Sequence, residues 1–174
     1  MVRAIMHGCN GHMGQVITGL IKADEGIELV AGIDKYTGIA NDYPVFESLE
    51  KCDVEADVII DFSNVAAADA LLTYCEEKKM PVVLCTTGLS EEQLAKIPEA
   101  AKKTAVLKSA NMSFGINLLM KLLKEATKVL APAGYDMEIV EKHHNQKLDA
   151  PSGTAIALAD SMNEAMDEAY HYVY

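Results

Sequence analysis

Residues 2–14, VRAIMHGCNGHMG, determine which fold class this chain can adopt. Their first part, Val2–His7, is a short and mostly apolar run, which is typical of a buried parallel strand. Gly8, Gly11 and Gly14 follow at a spacing of three, and the residues after them have helical periodicity. Such glycines let the backbone approach a pyrophosphate, whose charge the helix N-terminus attracts. The order strand, turn, helix therefore predicts a dinucleotide-binding unit, although a plain tight turn would give the same pattern.

Strand-like and helix-like segments alternate from this point onward. Such alternation predicts βαβ units and an α/β fold, with a Rossmann-type doubly wound parallel sheet. Ser90 and Gln93 form a capping-box pattern at the start of one helix. Residues 36–49 are expected to be irregular. The predicted strands are residues 2–7, 27–33, 56–61, 81–85 and 104–108, and the predicted helices are residues 13–23, 65–78, 90–103 and 114–130.

The pattern changes after the last of these helices. From Glu138 the sequence predicts a further strand, and residues 152–169 are predicted to form a helix. The final residues, 170–174, are aromatic and β-prone and carry no stop signal. We therefore expect the region after residue 110 to be incomplete at its C-terminus.

Composition argues against several classes of function. The chain has 174 residues, of which 50% are hydrophobic, and a net charge of −11. So acidic a chain lacks the basic stripe that nucleic acids and anionic membranes require, and neither partner is expected. Without a leader or an apolar run of membrane-spanning length, the expected location is the cytoplasm. The cysteines form no C-x-x-C pair, so neither a zinc site nor a disulfide framework is expected.

Polar residues follow several predicted strands at their carboxyl ends, where open α/β sheets bind ligands. Asp34 ends the second strand, where a carboxylate accepts hydrogen bonds from the adenosine ribose of NAD. Lys35 could instead pair with the 2′-phosphate of NADP, so NADH and NADPH both stay open. Three further segments, each of which could also be an ordinary turn, are expected to line the nicotinamide ribose: residues 61–63, 85–88 and 109–113.

Reactive side chains are densest in residues 138–155, EIVEKHHNQKLDAPSGTA. In an extended segment His143 and His144 point to opposite sides, so one could face a reaction and the other an anion. Lys147 could act as a cationic partner or as a proton donor. Ser152, Gly153 and Thr154 open a predicted helix, and a helix N-terminus with hydroxyl groups suits a carboxylate. The segment therefore predicts a site for a small dianion that becomes protonated. Metal binding is disfavoured because no third ligand has suitable spacing.

This segment resembles the signature E-x-H-H-x-x-K-x-D-x-P-S-G-T-A of the 4-hydroxy-tetrahydrodipicolinate reductase (dihydrodipicolinate reductase) family. GCNGHMG, CTTG and ANMSFGIN match that family in the same order. The resemblance implies a dinucleotide-binding Rossmann domain at residues 1–110. It implies that residues 111–174 are part of a second α+β domain, which binds substrate and forms a homotetramer.

The resemblance also implies a reaction and the residues that perform it. NADH or NADPH would reduce 4-hydroxy-tetrahydrodipicolinate, a small dicarboxylate, to tetrahydrodipicolinate with loss of water, in diaminopimelate and lysine biosynthesis. His143 would be the acid/base residue and Lys147 the proton donor. Substrate would be held by His144, Lys147, Ser152, Gly153 and Thr154. The cofactor would contact Gly8, Cys9, Asn10, Gly11, His12, Met13, Asp34, Lys35, Cys85, Thr86, Thr87, Ala110, Asn111, Met112 and Ser113.

Two alternatives stay open. One is another Rossmann oxidoreductase acting on a small carboxylate, which the glycine turn permits but the histidine segment does not favour. The other is a truncated, non-catalytic nucleotide-binding fragment, because members of the family are longer than this chain.

Overall fold

The computed structural model describes residues 1–109, 111–143, 145 and 150–173. The chain divides into two compact units, Met1–Ser109 and Ala110–Tyr174. In the part that the structure describes, no helix is both long and apolar enough to cross a membrane.

A six-stranded parallel sheet forms the centre of the first unit, with strand order β3-β2-β1-β4-β5-β6. The chain winds outward from β1 first to one side and then to the other, which confirms the predicted doubly wound Rossmann-type sheet. The two-residue strand β3 lies in a region predicted to be irregular, since so short a run gives no periodic signal. The strands are β1 (Val2–His7), β2 (Ile27–Ile33), β3 (Val45–Phe46), β4 (Val58–Asp61), β5 (Val82–Leu84) and β6 (Val106–Lys108).

Three helices flank this sheet: α1 (His12–Lys22), α2 (Ala68–Lys78) and α3 (Glu91–Ala101). The predicted capping box starts α3, where Ser90 Oγ accepts from Gln93 N at 3.2 Å and Gln93 Oε1 accepts from Ser90 N at 3.0 Å. Helix α2 begins later than predicted, because Val65–Ala67 forms a 3₁₀ turn.

The main core lies between the sheet and helices α2 and α3. Ile5 and Ile59 from adjacent strands, and Leu71 from α2, are fully buried there. Burying one such side chain contributes roughly 1.5–3 kcal/mol. Because helices cover the sheet, its central strands are apolar without alternation, as the sequence of β1 indicated. Polar groups are thereby left to the strand ends, where the candidate site lies.

The second unit contains α4 (Phe114–Leu130), which has the predicted bounds, and α5 (Gly153–Glu164). The two helices pack together, and Ser161 Oγ donates to the carbonyl of Met120 at 2.9 Å. Lys124 Nζ lies 2.6 Å from Glu164 Oε1.

Two predictions for this unit are wrong. The strand expected from Glu138 is not formed, and Val140 is 91% exposed. A strand requires a neighbour for its backbone hydrogen bonds, and no described segment pairs with these residues. Helix α5 ends at Glu164 instead of continuing to residue 169. Asp167 and Glu168 have φ of 53° and 60°, values in the left-handed region, which ends a helix.

Candidate functional site

Three glycines shape the loop between β1 and α1. Gly8 has φ of +82°, and a Cβ there would lie 2.7 Å from the carbonyl oxygen of Phe62. A Cβ at Gly14 would lie 2.2 Å from the carbonyl oxygen of Gly8. Gly11 precedes the first turn of α1 as its N-cap residue. Only glycine permits these backbone approaches, which leave the amides at the start of α1 facing a potential anion.

The carboxylate of Asp34 holds this loop against the end of β2. Its Oδ2 accepts from Asn10 N at 2.9 Å, and its Oδ1 accepts from Tyr36 N at 3.0 Å. The side chain of Asn10 donates to the carbonyl of Tyr36 and accepts from Asn41 Nδ2 at 2.8 Å. The residue predicted to meet a ribose therefore also orders the glycine loop, a role that the sequence did not reveal.

A cleft of about 570 Å³ opens beside the loop. Such a volume lies in the range of small-molecule and cofactor sites. The carboxyl ends of β1, β2 and β4 form its wall. Several of the predicted cofactor-binding residues therefore meet at the carboxyl edge of the sheet. Those lining it include Gly8, Asn10, Gly11, Asp34 and Lys35, together with His7 and Ser63. His12 and Met13 are exposed on the first turn of α1, next to the same loop.

A buried polar cluster lies at the ends of β1, β4 and β5. Asp61 is fully buried, and its carboxylate accepts from Ser63 Oγ at 2.6 Å and from Thr86 Oγ1 at 2.7 Å. His7 Nδ1 lies 2.9 Å from Asp61 Oδ1, although its ring N–H is not aligned on that oxygen. Burial alone would raise the pKa of Asp61, but the interactions with His7, Ser63 and Thr86 together hold that pKa below its ordinary value.

This cluster makes stability depend on pH in the acid range. Because the folded pKa of Asp61 is lowered, its contribution is complete above the unfolded pKa of about 3.9 and is lost as the pH falls through the folded value. We expect the free energy of unfolding to fall more steeply below about pH 4 in the unmodified chain than in Asp61→Asn. Urea denaturation across this pH range measures both slopes, and equal slopes would contradict the assignment.

The thiols predicted to lie near the cofactor are not activated. Cys9 and Cys85 are buried, and burial raises the pKa of each to about 11, so both are protonated at neutral pH. Thr86 is buried beside Cys85, whereas Thr87 is exposed. Within the described ranges no group of three or more acidic, histidine or cysteine side chains is arranged to hold a metal ion. The two protonated thiols are therefore not suited to nucleophilic chemistry.

The second unit brings part of the histidine segment to the start of α5. Ser152 caps this helix, since its Oγ accepts from Ala155 N at 3.0 Å. Ser152 N donates to Glu141 Oε1 at 2.8 Å, and Glu141 Oε2 lies 3.5 Å from His143 Nδ1. No role was predicted for Glu141, the glutamate of the family signature, but its carboxylate lies between the candidate acid/base histidine and the helix N-terminus.

Two other predicted residues meet in this unit. Asn111 Nδ2 donates to Thr154 Oγ1 at 3.0 Å, which joins a residue expected near nicotinamide to one expected near substrate. Asn111 Oδ1 also accepts from Ser113 N at 2.8 Å, and Ser113 caps α4. Met112, next to Asn111 in the sequence, and Gly153, next to Thr154, are both exposed. The predicted site residues Ala110, His144 and Lys147 lie outside the described residues.

Comparison with known proteins gives matches along almost the whole chain. Residues 2–112 match the family description "Dihydrodipicolinate reductase, N-terminus", and residues 115–172 match "Dihydrodipicolinate reductase, C-terminus". A 4-hydroxy-tetrahydrodipicolinate reductase of Clostridium tetani is 49% identical over 174 residues. That of Caldanaerobacter subterraneus subsp. tengcongensis is 52% identical over 174 residues. Each comparison covers 100% of this chain and 68% of the relative.

A solved structure is also similar throughout. Dihydrodipicolinate reductase from Paenisporosarcina sp. TG-14, with dipicolinate bound, superposes with a TM-score of 0.78 at 30% sequence identity. The match covers 99% of this chain and 69% of that protein. Because both parts of the family and relatives about half identical match the full chain, the chain belongs to the dihydrodipicolinate reductase family.

Proposed function

We propose that this chain is an oxidoreductase that reduces 4-hydroxy-tetrahydrodipicolinate to tetrahydrodipicolinate with loss of water, in diaminopimelate and lysine biosynthesis. The observation that carries the proposal is the glycine loop, braced by Asp34 beside a cleft at the carboxyl edge of a Rossmann-type sheet. Family membership over both units supports the substrate. The reduced dinucleotide, when bound, supplies the hydride.

Residues 1–110 are proposed to bind the dinucleotide. The amides of residues 8–13 would hold the pyrophosphate, because they surround the N-terminus of α1, where the helix dipole favours negative charge. Asp34 would accept hydrogen bonds from the adenosine ribose, and Lys35 would pair with a 2′-phosphate when one is present. NADH and NADPH are thus both proposed as cofactors. Cys85, Thr86 and Thr87, with residues 110–113, would contact the nicotinamide half.

Residues 111–174 are proposed to bind the dicarboxylate. Ser152, Gly153 and Thr154 would hold a carboxylate at the start of α5, with His144 and Lys147 supplying positive charge. His143 would act in acid/base chemistry and Lys147 would donate the proton. The Glu141 carboxylate near His143 Nδ1 supports this role, since a carboxylate there favours a proton on Nδ1 and leaves Nε2 to exchange protons with substrate.

We also propose that the protein works as a homo-oligomer, a tetramer as the family resemblance implies. Exposed apolar side chains of the second unit support an interface between subunits. Phe114 and Val129 on α4 are 84% and 70% exposed, and Val140 is also largely exposed. Leu118 and Leu122, which follow Phe114 at intervals of four residues and so lie on the same face of α4, are exposed too, and such a continuous apolar face favours a covering partner.

Steady-state oxidation of NADH and NADPH in the presence of 4-hydroxy-tetrahydrodipicolinate tests the reaction. We expect turnover with this substrate, and competitive inhibition by pyridine-2,6-dicarboxylate, a planar analogue with the same two carboxylates. The same mixture without the protein provides the control for uncatalysed oxidation. Dinucleotide binding without turnover would instead indicate a non-catalytic fragment. Turnover only with a different small carboxylate would indicate another Rossmann oxidoreductase.

A further inference from the structure

The buried Asp61 carboxylate dictates which way two neighbouring hydroxyl groups point. Its pKa is lowered, so at neutral pH it is ionised and can only accept hydrogen bonds. Ser63 Oγ, 2.6 Å from Oδ1, and Thr86 Oγ1, 2.7 Å from Oδ2, must therefore both be donors. The backbone amide of Ser63 also lies 3.3 Å from Oδ1. Each hydroxyl has one proton, and in both residues that proton is committed to Asp61.

Of these two hydroxyl residues, Ser63 is the one that faces the cleft. Thr86 is only 6% exposed and is not among the residues that line the cleft, whereas Ser63 is half-buried and lines the cleft wall. Ser63 also packs against the glycine loop, since a Cβ at Gly8 would lie 3.0 Å from its Cα. With its proton engaged, Ser63 presents only lone pairs to a ligand. A ligand group that meets it there must therefore be a donor.

We propose that Ser63 accepts a hydrogen bond from the nicotinamide nucleoside half of the dinucleotide, and that Asp61 is the positioning residue that makes it an acceptor. The proposal rests on the proposed dinucleotide binding, and the choice of this half rests on the prediction that residues 61–63 line the nicotinamide ribose. Two groups in that half can donate, the ribose hydroxyls and the carboxamide N–H₂, and they share the chemistry that Ser63 requires. His7 Nδ1 lies 2.9 Å from Asp61 Oδ1 in the same cluster.

Calorimetric titration with ADP, ADP-ribose and NADH tests the proposal, because each ligand adds one part of the molecule. In Ser63→Ala we expect NADH to bind about 3- to 10-fold more weakly, the loss of one hydrogen bond. ADP affinity should stay within about 2-fold, and Ser63→Thr, which keeps the hydroxyl, should restore NADH binding. An equal loss for ADP, or no loss for NADH, would overturn the proposal.

ADP-ribose then identifies the donor group. If its affinity falls in Ser63→Ala as NADH affinity does, the donor is a ribose hydroxyl. If only NADH affinity falls, the donor is the carboxamide. Both results support an acceptor at Ser63, and they differ only in which atom of the nucleoside meets it.

A double-mutant cycle tests the part assigned to Asp61. The amide of Asp61→Asn can donate to Ser63, which frees the serine proton and removes the fixed polarity. Ser63→Ala should then cost NADH affinity less in the Asp61→Asn background than in the unmodified chain, because the two residues act as one unit. Additive effects, or equal losses of ADP and NADH affinity in Asp61→Asn, would reduce Asp61 to a structural role. Should Asp61→Asn fail to fold, the Ser63→Ala and Ser63→Thr titrations still decide the acceptor.

Discussion

Replacing Gly14 by alanine is expected to lower NADH affinity by about 100-fold or more. The new Cβ would lie 2.2 Å from the Gly8 carbonyl oxygen and 2.7 Å from backbone atoms of Cys9, so the loop must move. Displacing loop amides from a pyrophosphate forfeits charged hydrogen bonds worth about 1.5–3 kcal/mol each, and two such bonds account for the expected loss. Overpacking should also lower the free energy of unfolding by about 1–3 kcal/mol. Fluorescence titration with NADH and urea denaturation measure the two effects.

Gly19 provides a matched control on the same helix. A Cβ there meets nothing within 4 Å, and alanine favours a helix over glycine by about 1 kcal/mol. Gly19→Ala should therefore keep NADH affinity and be neutral or slightly stabilising. If Gly14→Ala bound NADH as tightly as Gly19→Ala, the glycine loop would not be the pyrophosphate site.

Much of the first unit could be predicted because its signals are local. The bounds of β1 and β2 agree with apolar runs in the sequence, and the start of α3 agrees with the Ser90 capping box. The glycine spacing predicted the loop after β1, since a positive φ at Gly8 and the close approach at Gly14 both exclude other residues. Each of these features depends on residues a few positions apart, which sequence patterns report well.

The errors in the second unit arise where structure depends on distant partners. Ile139 and Val140 have strand propensity, but a strand exists only when another segment pairs with it. Helix α5 ends early where the side chain of buried Asn163 contacts the backbone of Tyr170. Asn163 Nδ2 donates to the Tyr170 carbonyl at 3.0 Å, and Asn163 Oδ1 accepts from Tyr170 N at 2.9 Å. A chain that continued as a helix could not make this contact. Helical periodicity alone could not predict that Asn163 would bond to a backbone seven residues further along the chain.

The candidate site was predicted in its residue types more than in its contacts. Asp34 was predicted as a ribose ligand, but its hydrogen bond to Asn10 was not, because sheet topology joins residues 24 positions apart. His7 was predicted only as the last residue of the first strand, yet it lies beside Asp61 of β4, a pairing made by the parallel register of these strands. A titratable residue at the carboxyl end of a central strand was the available signal, since ligands gather at that edge.

Replacing Lys147 by alanine is expected to reduce kcat by about 100- to 10,000-fold, the usual contribution of a positioned proton donor. The dinucleotide site of the first unit needs no group from this residue, so NADH affinity should stay within about 2-fold. Lys142, which is exposed and lies in the same segment, provides the matched control, and Lys142→Ala should keep nearly full activity. Stopped-flow measurement of NADH oxidation gives kcat, and titration with NADH gives the affinity.

Chemical rescue distinguishes whether Lys147 donates a proton or only contributes a positive charge. Added methylammonium supplies a transferable proton, whereas tetramethylammonium has the same charge and none. If Lys147 is the donor, only methylammonium should raise the kcat of Lys147→Ala, and its effect should weaken as the pH approaches the pKa of the amine. Equal rescue by both cations would mean that Lys147 supplies only charge to the dicarboxylate. The proton donor would then have to be another group. Among the residues that the structure describes, His143, with Glu141 near its Nδ1, is the candidate.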